Sequence, residues 1–272
     1  MIIRSLNNPT LKAARALKHR KAREESGLFW VEGIRAVGEA IEFAAPIAHL
    51  IVAPDLLISD FARRLVAQAL EQRLSVLEVT PEVFHSLANK EHPQGIGAVI
   101  RQTWHTLHKL PVDTRHWCYV ALDSPQDPGN IGTILRTCDA VGASGIILLG
   151  PSADPYDPSA VRASMGTLFS MKLVRASFVE FWNWCRAKHI AVIGTSDKAG
   201  LDYTEARYAA PLVLLMGSER EGLSADNQAR CDVMVRLPMH GRADSLNLAV
   251  ATGVMLYELL RHRRVATPDA EG

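Results

Sequence analysis

The sequence predicts an α/β protein built from two domains, and three observations support this. Short apolar runs alternate with helix-length amphipathic segments along the chain, as in layered α/β folds. The apolar runs of the second half are nearly continuous, which is typical of parallel strands buried on both faces. The length of 272 residues also exceeds the size of one typical domain, about 150 residues.

In the first half, strands and helices are predicted to alternate around a largely parallel sheet. The predicted strands are Leu28–Glu32, Ala48–Ala53, Ser75–Val79 and Gly95–Arg101, and the predicted helices are Gly33–Ala44, Asp60–Gln72 and a short one that begins at Pro81. The stretch 106–116 lacks periodicity, so we place the boundary there. We predict a smaller N-terminal α/β domain at 1–108, a linker at 109–116 and a second domain at 117–272.

The second half repeats the alternation with longer strands. The predicted strands are Trp117–Leu122, Gly145–Leu149, Ile190–Gly194, Leu212–Gly217 and Val233–Leu237, and the predicted helices are Ile131–Val141, Phe178–Lys188, Ala225–Arg230 and Ser245–Arg264. Apolar residues recur at helical spacing in the last helix. A parallel sheet with helices on its faces is therefore expected.

Composition excludes several classes of protein. Hydrophobic residues make up 48% and charged residues 22%, as in ordinary globular proteins rather than disordered chains. No apolar run approaches the ~18 residues of a membrane span, and no signal peptide opens the chain. The four cysteines are scattered and the histidines have no ligand partners nearby, so we expect no metal and a reducing, cytoplasmic location.

The formal net charge of +1 hides a basic start to the chain. The first 23 residues hold seven lysines and arginines and no acidic residue. Such a segment suits contact with phosphates, and it equally suits a solvated amphipathic helix. Charge alone does not separate these two interpretations.

Three long loops follow predicted strands, where ligands bind in doubly wound sheets. The loops are 123–132, 217–223 and 238–247. Asn130 and Ser245 are each placed to cap the helix that follows. The glycine fingerprint of dinucleotide-binding sheets, the P-loop and the hydrolase Gly-x-Ser-x-Gly motif are all missing, so the ligand of these loops is of another kind.

Together the three loops resemble the motifs of the SpoU/TrmH family of RNA 2′-O-ribose methyltransferases, in the SPOUT superfamily. The matching patterns are Asp127-Pro128-x-Asn130-x-Gly132-x-x-x-Arg136-Thr137, Gly217-x-Glu219-x-x-Gly222-Leu223 and Leu237-Pro238-Met239-x-Gly241-x-x-x-Ser245-Leu246-Asn247. Two N-terminal segments, 8–12 and 29–33, are similar to the RNA-binding domain of many such enzymes, which resembles kink-turn-binding ribosomal proteins. The resemblance covers nearly the whole chain.

The resemblance implies a C-terminal domain with a trefoil knot, which forms a homodimer. It implies transfer of a methyl group from S-adenosylmethionine (AdoMet) to a ribose 2′-hydroxyl of structured RNA, with ribosomal RNA favoured over transfer RNA. No metal and no membrane is implied. The family assigns hydroxyl activation to the residue matched by Arg136. Because a guanidinium is a poor base, we expect Arg136 to stabilise the developing alkoxide instead.

The resemblance also implies the site residues. The catalytic set is Arg136, Asn130, Glu219, Ser245 and Asn247. The cofactor-binding set is Thr195, Met216, Gly217, Leu237, Met239, Ser245 and Leu246. The RNA-binding set is Arg15, Lys18, Arg20, Lys21, Arg23, Arg162 and Ser164.

Two other classes of function stay open at this point. A non-catalytic RNA-binding or ribosome-assembly protein on the same fold would be expected to carry damaged motifs, and these motifs are intact. A nucleotide-dependent oxidoreductase would be expected to carry the glycine fingerprint, which is absent.

Overall fold

The computed structural model describes residues 2–89, 91–113 and 115–266, with side chains up to residue 263. These residues form two compact units. Of the described residues, those within 2–103 and 154–170 form unit 1, and those within 104–153 and 171–266 form unit 2.

The helices and strands alternate as the sequence predicts. The helices are α1 Pro9–Ala16, α2 Arg20–Ser26, α3 Ile34–Glu42, α4 Asp60–Glu71, α5 Pro81–Leu87, α6 Pro128–Val141, α7 Pro158–Ser164, α8 Phe178–Ala187, α9 Ala225–Arg230 and α10 Leu248–Ala266. The strands are β1 Leu28–Glu32, β2 Ile47–Val52, β3 Val76–Glu78, β4 Ile96–Arg101, β5 Cys118–Asp123, β6 Gly145–Leu149, β7 Lys172–Ala176, β8 Ala191–Thr195, β9 Leu201–Asp202, β10 Leu212–Met216 and β11 Val233–Arg236.

Unit 1 is built on a four-stranded sheet in the order β1-β4-β2-β3. β4 lies antiparallel to both β1 and β2, and only β2 and β3 are parallel. The expectation of a largely parallel sheet in the first half was therefore wrong. Alternation of strands and helices specifies layers, but it does not specify the direction in which the last strand enters the sheet.

The basic N-terminal segment forms α1 and α2 of unit 1. Leu11, Ala14 and Leu17 are buried and pack in one cluster with Trp30 and Phe84. The segment is thus not a free arm. It is folded into unit 1, because its apolar side belongs to the core of the unit.

Unit 2 contains a seven-stranded sheet in the order β7-β6-β5-β10-β8-β11-β9. Every pair of neighbouring strands is parallel, which confirms the prediction for this half. β10 lies between β5 and β8, and all five of its residues are buried. Two of these strands, β7 and β9, were not predicted, since β7 carries charged residues and β9 has only two residues.

The two units divide the chain differently from the predicted domains at 1–108 and 117–272. Residues 104–108 belong to unit 2, and α7 with its flanking residues belongs to unit 1. Chain order gives no signal that the connection between β6 and β7 packs with the N-terminal residues. The predicted domain limits therefore stay a prediction from the sequence.

Unit 1 is held internally by a buried ion-pair cluster around Arg23. This side chain is 1% exposed. Its Nε donates to Asp154 Oδ2 at 2.7 Å, and its Nη2 donates to Asp157 Oδ2 at 2.9 Å. The remaining nitrogen, Nη1, donates to the backbone carbonyls of Leu17 and Lys18. Every guanidinium nitrogen is thus satisfied in the interior.

Asp157 also caps α7 by accepting from the Ser159 backbone N–H at 3.0 Å. Burial by itself raises the pKa of this carboxyl, but hydrogen bonds from Ser159 and the charge of Arg23 outweigh burial, so its pKa is lowered. Asp157 therefore stays ionised when Arg23 is present, and the cluster remains paired.

We expect Arg23→Ala to lower the free energy of unfolding of the protein by about 3–5 kcal/mol, because it leaves two carboxylates next to each other without a cation. Denaturant unfolding monitored by circular dichroism measures this change. Arg20→Ala is the matched control, since Arg20 makes an exposed pair with Glu24 at 2.7 Å, and we expect a loss below about 1 kcal/mol. Equal losses in the two variants would contradict a structural role for the cluster.

Candidate active site

Four loops of unit 2 meet at one edge of the parallel sheet. They follow β5, β10, β8 and β11, which are neighbours in the sheet. Because neighbouring parallel strands end on the same side, the loops that follow them must lie close together. The three motif loops found in the sequence are among these four.

A chain of side-chain hydrogen bonds joins the three motif loops. Asn130 Nδ2 donates to Glu219 Oε1 at 2.8 Å, and Asn247 Nδ2 donates to Asn130 Oδ1 at 3.0 Å. Glu219 Oε2 accepts from the backbone N–H of Gln126 at 2.9 Å. Asn130 thus donates to one neighbouring loop and accepts from the other, which connects all three. Its side chain is buried, with 8% exposure.

Helix capping places these side chains, and it differs from the sequence prediction. Asp127 is the N-cap of α6, where it accepts from the Gly129 N–H at 2.7 Å, so Asn130 lies within the first turn. Asn247 caps α10 by accepting from the N–H groups of Ala249 and Val250. The predicted caps, Asn130 and Ser245, were both wrong, because Asp127 caps α6 and Asn247 caps α10 instead.

Gly217 lets the loop after β10 fold tightly. Ser218 and Gly222 exchange backbone hydrogen bonds, and Gly222 has a φ of +67°. A Cβ on Gly217 would come within 2.3 Å of the carbonyl carbon of Gly222. Only glycine fits at 217, because the backbone of Gly222 and Leu223 fills the space that a side chain would need.

The loops surround a cleft of about 650 Å³, a volume in the range of small-molecule sites. All seven residues of the predicted cofactor-binding set line it: Thr195, Met216, Gly217, Leu237, Met239, Ser245 and Leu246. Glu219 and Asn247, from the predicted catalytic set, line it too. The structure thus brings these residues together, while their roles remain predictions.

Sequence reasoning missed part of the cleft wall. Ser196, Asp197 and Lys198 follow β8 and line the cleft, as does Asp244 in the loop after β11. The sequence did offer a signal for the residues after β8, because a strand was predicted directly before them and ligands bind beyond the carboxyl ends of parallel strands. No motif marks this loop, so only Thr195 was singled out.

Of the predicted catalytic set, Asn130 is not part of the cleft lining, and neither is Arg136. Arg136 lies on α6 six residues after Asn130, or about 9 Å further along the helix axis. Its side chain is exposed and is not part of the cleft lining. Arg136 is therefore available to a molecule that approaches the protein from outside.

Burial shifts the pKa of two titratable groups at opposite ends of β5. Burial raises the pKa of Asp123 at the end of β5, and the negative charge of Glu221 adds to this, although a hydrogen bond from Ser124 opposes it. Burial also raises the pKa of the Cys118 thiol well above its usual value. Within the described residues no cluster of His, Cys, Asp and Glu could hold a metal ion.

The predicted RNA-binding residues lie in unit 1, and two of them are structural. Arg23 is buried in the ion-pair cluster, and Ser164 is 0% exposed and donates to the Val161 carbonyl. Their assignment to RNA contact was wrong, because sequence shows charge and polarity but does not show burial. Arg162, by contrast, is exposed.

The other predicted cations of the N-terminal segment have partners within unit 1. Arg15 donates to the Leu6 carbonyl and to Ser86, and Lys18 donates to the Ser86 and Ala88 carbonyls. Arg20 and Lys21 pair with Glu24 and Glu25 one helical turn later. The acids that directly follow the basic segment thus reduce its positive field.

Comparison with known proteins gives two family matches along the chain. The model of the SpoU rRNA methylase family matches residues 118–257, from β5 into α10. The model of an MRM3-like substrate-binding domain matches residues 8–98. The first segment contains all four cleft loops, and the second lies within unit 1.

Individual relatives match along most of the chain. A 23S rRNA (uridine(2479)-2′-O)-methyltransferase of Streptomyces viridochromogenes is 36% identical over 91% of this chain and 87% of its own length. The 23S rRNA (guanosine(2553)-2′-O)-methyltransferase RlmP of Bacillus subtilis is 28% identical over 94% and 98%.

A solved structure is also similar to this protein. The crystal structure of AdoMet-bound rRNA methyltransferase from Sinorhizobium meliloti has a TM-score of 0.87, with 38% identity over 96% of this chain and 98% of that one. Sequence, fold and the matched loops agree, and the chain belongs to the SpoU rRNA methylase family.

Proposed function

We propose that this protein is an AdoMet-dependent methyltransferase that modifies a ribose 2′-hydroxyl in ribosomal RNA. The hydrogen-bond chain that joins Glu219, Asn130 and Asn247 carries the proposal, since it organises the three family motifs around one cleft. The relatives named above act on 23S rRNA, which favours ribosomal over transfer RNA. Such a substrate implies a cytoplasmic enzyme.

The cleft residues fit AdoMet, which has an apolar adenosyl part and a charged amino-acid part. Met216, Leu237 and Leu246 offer apolar surface, and Gly217 also lines the cleft. Asp197, Lys198 and Asp244 supply charges of both signs in the same cleft. When bound, AdoMet supplies a methyl group on a sulfonium for in-line displacement.

The residues of this chain then have separate duties. Asn130, Glu219 and Asn247 hold the loops so that the cleft keeps its shape before substrate arrives. Ser245 is exposed and lines the cleft, so it can hydrogen-bond to cofactor or ribose. Arg136 stabilises negative charge that develops on the ribose oxygen, and it has no role in holding the cofactor because it does not line the cleft.

The alternatives are weaker on the observed geometry. A non-catalytic protein on this fold would have no need for an intact Asn130–Glu219–Asn247 chain. A transfer RNA substrate would use the same cleft, and mapping the methylated nucleotide separates the two RNAs. The glycine fingerprint expected of an oxidoreductase is absent from the loop after β5.

We also propose that the protein forms a homodimer through the C-terminal domain and that this domain contains the trefoil knot of its superfamily. An apolar stripe on α10 supports the dimer. Val250 is 53% exposed, Val254 37% and Tyr257 56%, at spacings of four and three residues that align them on one face. The opposite face carries Met255, which is buried.

Titration of the purified protein with S-adenosylhomocysteine is the first test of this function. We expect binding of one molecule per chain, followed by detection of one 2′-O-methylated nucleotide in ribosomal RNA.

In Arg136→Ala we expect methylation to fall at least about 100-fold while S-adenosylhomocysteine affinity stays within twofold. Arg186→Ala, which removes an exposed charge from α8, is the control and should behave as wild type. Wild-type turnover in Arg136→Ala would overturn the assignment.

Asn130→Asp tests the loop network. It places a carboxylate against Glu219 in place of an N–H donor, so we expect S-adenosylhomocysteine affinity to fall at least tenfold. The double variant N130D/E219Q restores a donor opposite an acceptor, and we expect it to recover most of the affinity. Calorimetric titration measures both. An unaffected single variant, or a double variant no better than the single, would refute the network's role.

Val254→Glu tests the dimer. A charge placed within the stripe should shift the protein from dimer to monomer at micromolar concentration, because it cannot be buried without a partner. Size-exclusion chromatography with light scattering reads the mass directly. Val179→Glu on α8 is the matched control, since Val179 is 69% exposed. A wild-type protein that elutes as a monomer would refute the dimer.

A further inference from the structure

Unit 1 contains a pocket of about 320 Å³ that has no part in the site described above. Its wall comes from the end of β1, the start of α3, the loop after α5, and α7, all within unit 1. The volume is at the lower end of small-molecule sites, which suits a single planar ring system with its substituent.

Glu32 lines this pocket, and one of its two carboxylate oxygens lacks a partner. Glu32 Oε2 accepts from the Asn89 backbone N–H at 2.7 Å and from Trp30 Nε1 at 3.4 Å. Glu32 Oε1 is buried and accepts no hydrogen bond among the described residues. Within the same residues no cation lies in ion-pair distance of Glu32. A buried acceptor of this strength calls for an N–H donor.

The rest of the pocket wall combines apolar side chains with basic side chains at its edge. Trp30 forms part of the wall, and its ring packs so closely on Gly97 that a Cβ there would lie 2.3 Å from it. Val161 and Met165 add apolar surface. Arg35 and Arg162 are exposed and also line the pocket, so positive charge stands at its edge.

We propose that this pocket binds one unpaired RNA base that carries an exocyclic amino group, which donates to Glu32 Oε1. The inference rests on the proposed function, since it assumes an RNA substrate. Single-stranded bases in RNA are recognised by such edge hydrogen bonds together with flat side chains. Uracil fits poorly, because carbonyl oxygens flank its only edge N–H on both sides and would face the carboxylate.

Binding of two short RNAs to the full-length protein tests the proposal. The probes are a hexamer of adenosine and a hexamer of purine riboside, which differs from adenosine only by lacking the 6-amino group. Fluorescence anisotropy of end-labelled probes gives both affinities. We expect the adenosine hexamer to bind about tenfold more tightly, the effect of one hydrogen bond to a charged acceptor.

Glu32→Gln is the decisive variant. It keeps an oxygen for Asn89 and Trp30, so the fold is retained, but it presents an N–H in place of the free acceptor. We expect the preference for adenosine to fall below twofold. Glu71→Gln is the control, since it removes the same charge from an exposed position on α4 and should keep the tenfold preference.

Equal or absent binding of both hexamers by wild type would overturn the proposal, as would a preference that survives Glu32→Gln. Titration of the same preparations with S-adenosylhomocysteine keeps this result separate from the proposed function. If the protein binds S-adenosylhomocysteine but does not distinguish the hexamers, only the pocket proposal is refuted. If the protein does not bind S-adenosylhomocysteine, the methyltransferase proposal is refuted.

Discussion

The parallel direction of all seven strands in unit 2 is the constraint on which its site depends. Parallel strands send every carboxyl end to the same edge, and the strand order places β10 between β5 and β8. Loops that lie far apart in sequence, at 123–132, 217–223 and 238–247, must then share a small volume. An antiparallel β10 would send Glu219 to the opposite edge, and no hydrogen bond to Asn130 could form.

Bringing the loops together does not by itself fix the shape of a cleft, and here the side-chain amides of Asn130 and Asn247 join the loops. Asn130 can serve Glu219 and Asn247 at once because an amide carries both a donor and an acceptor. An ionised aspartate could not do this because it lacks the donor, and leucine lacks both groups. The types of Asn130, Glu219 and Asn247 are thus explained by what their neighbours need.

Much of this arrangement was predictable from sequence, and the failures have identifiable causes. The limits of β1, β6 and α9 match the predictions residue for residue, because apolar runs and turn residues define them locally. Helix starts were misplaced where two capping residues compete, as at Asp127 and Asn130. Contacts between distant residues were beyond reach, so neither the direction of β4 nor the burial of Arg23 could be predicted.

The path of the chain gives unit 1 residues from two separate stretches of sequence. The connection from β6 to β7 passes through unit 1, to which it contributes α7, Asp154 and Asp157. A fragment that ended at residue 108 would lose both carboxylates that neutralise Arg23, Asp154 and Asp157. The same fragment would lose the α7 wall of the pocket beside Glu32. Unit 1 is therefore compact in space but not continuous in sequence, and the pocket beside Glu32 is complete only when residues 154–170 are present.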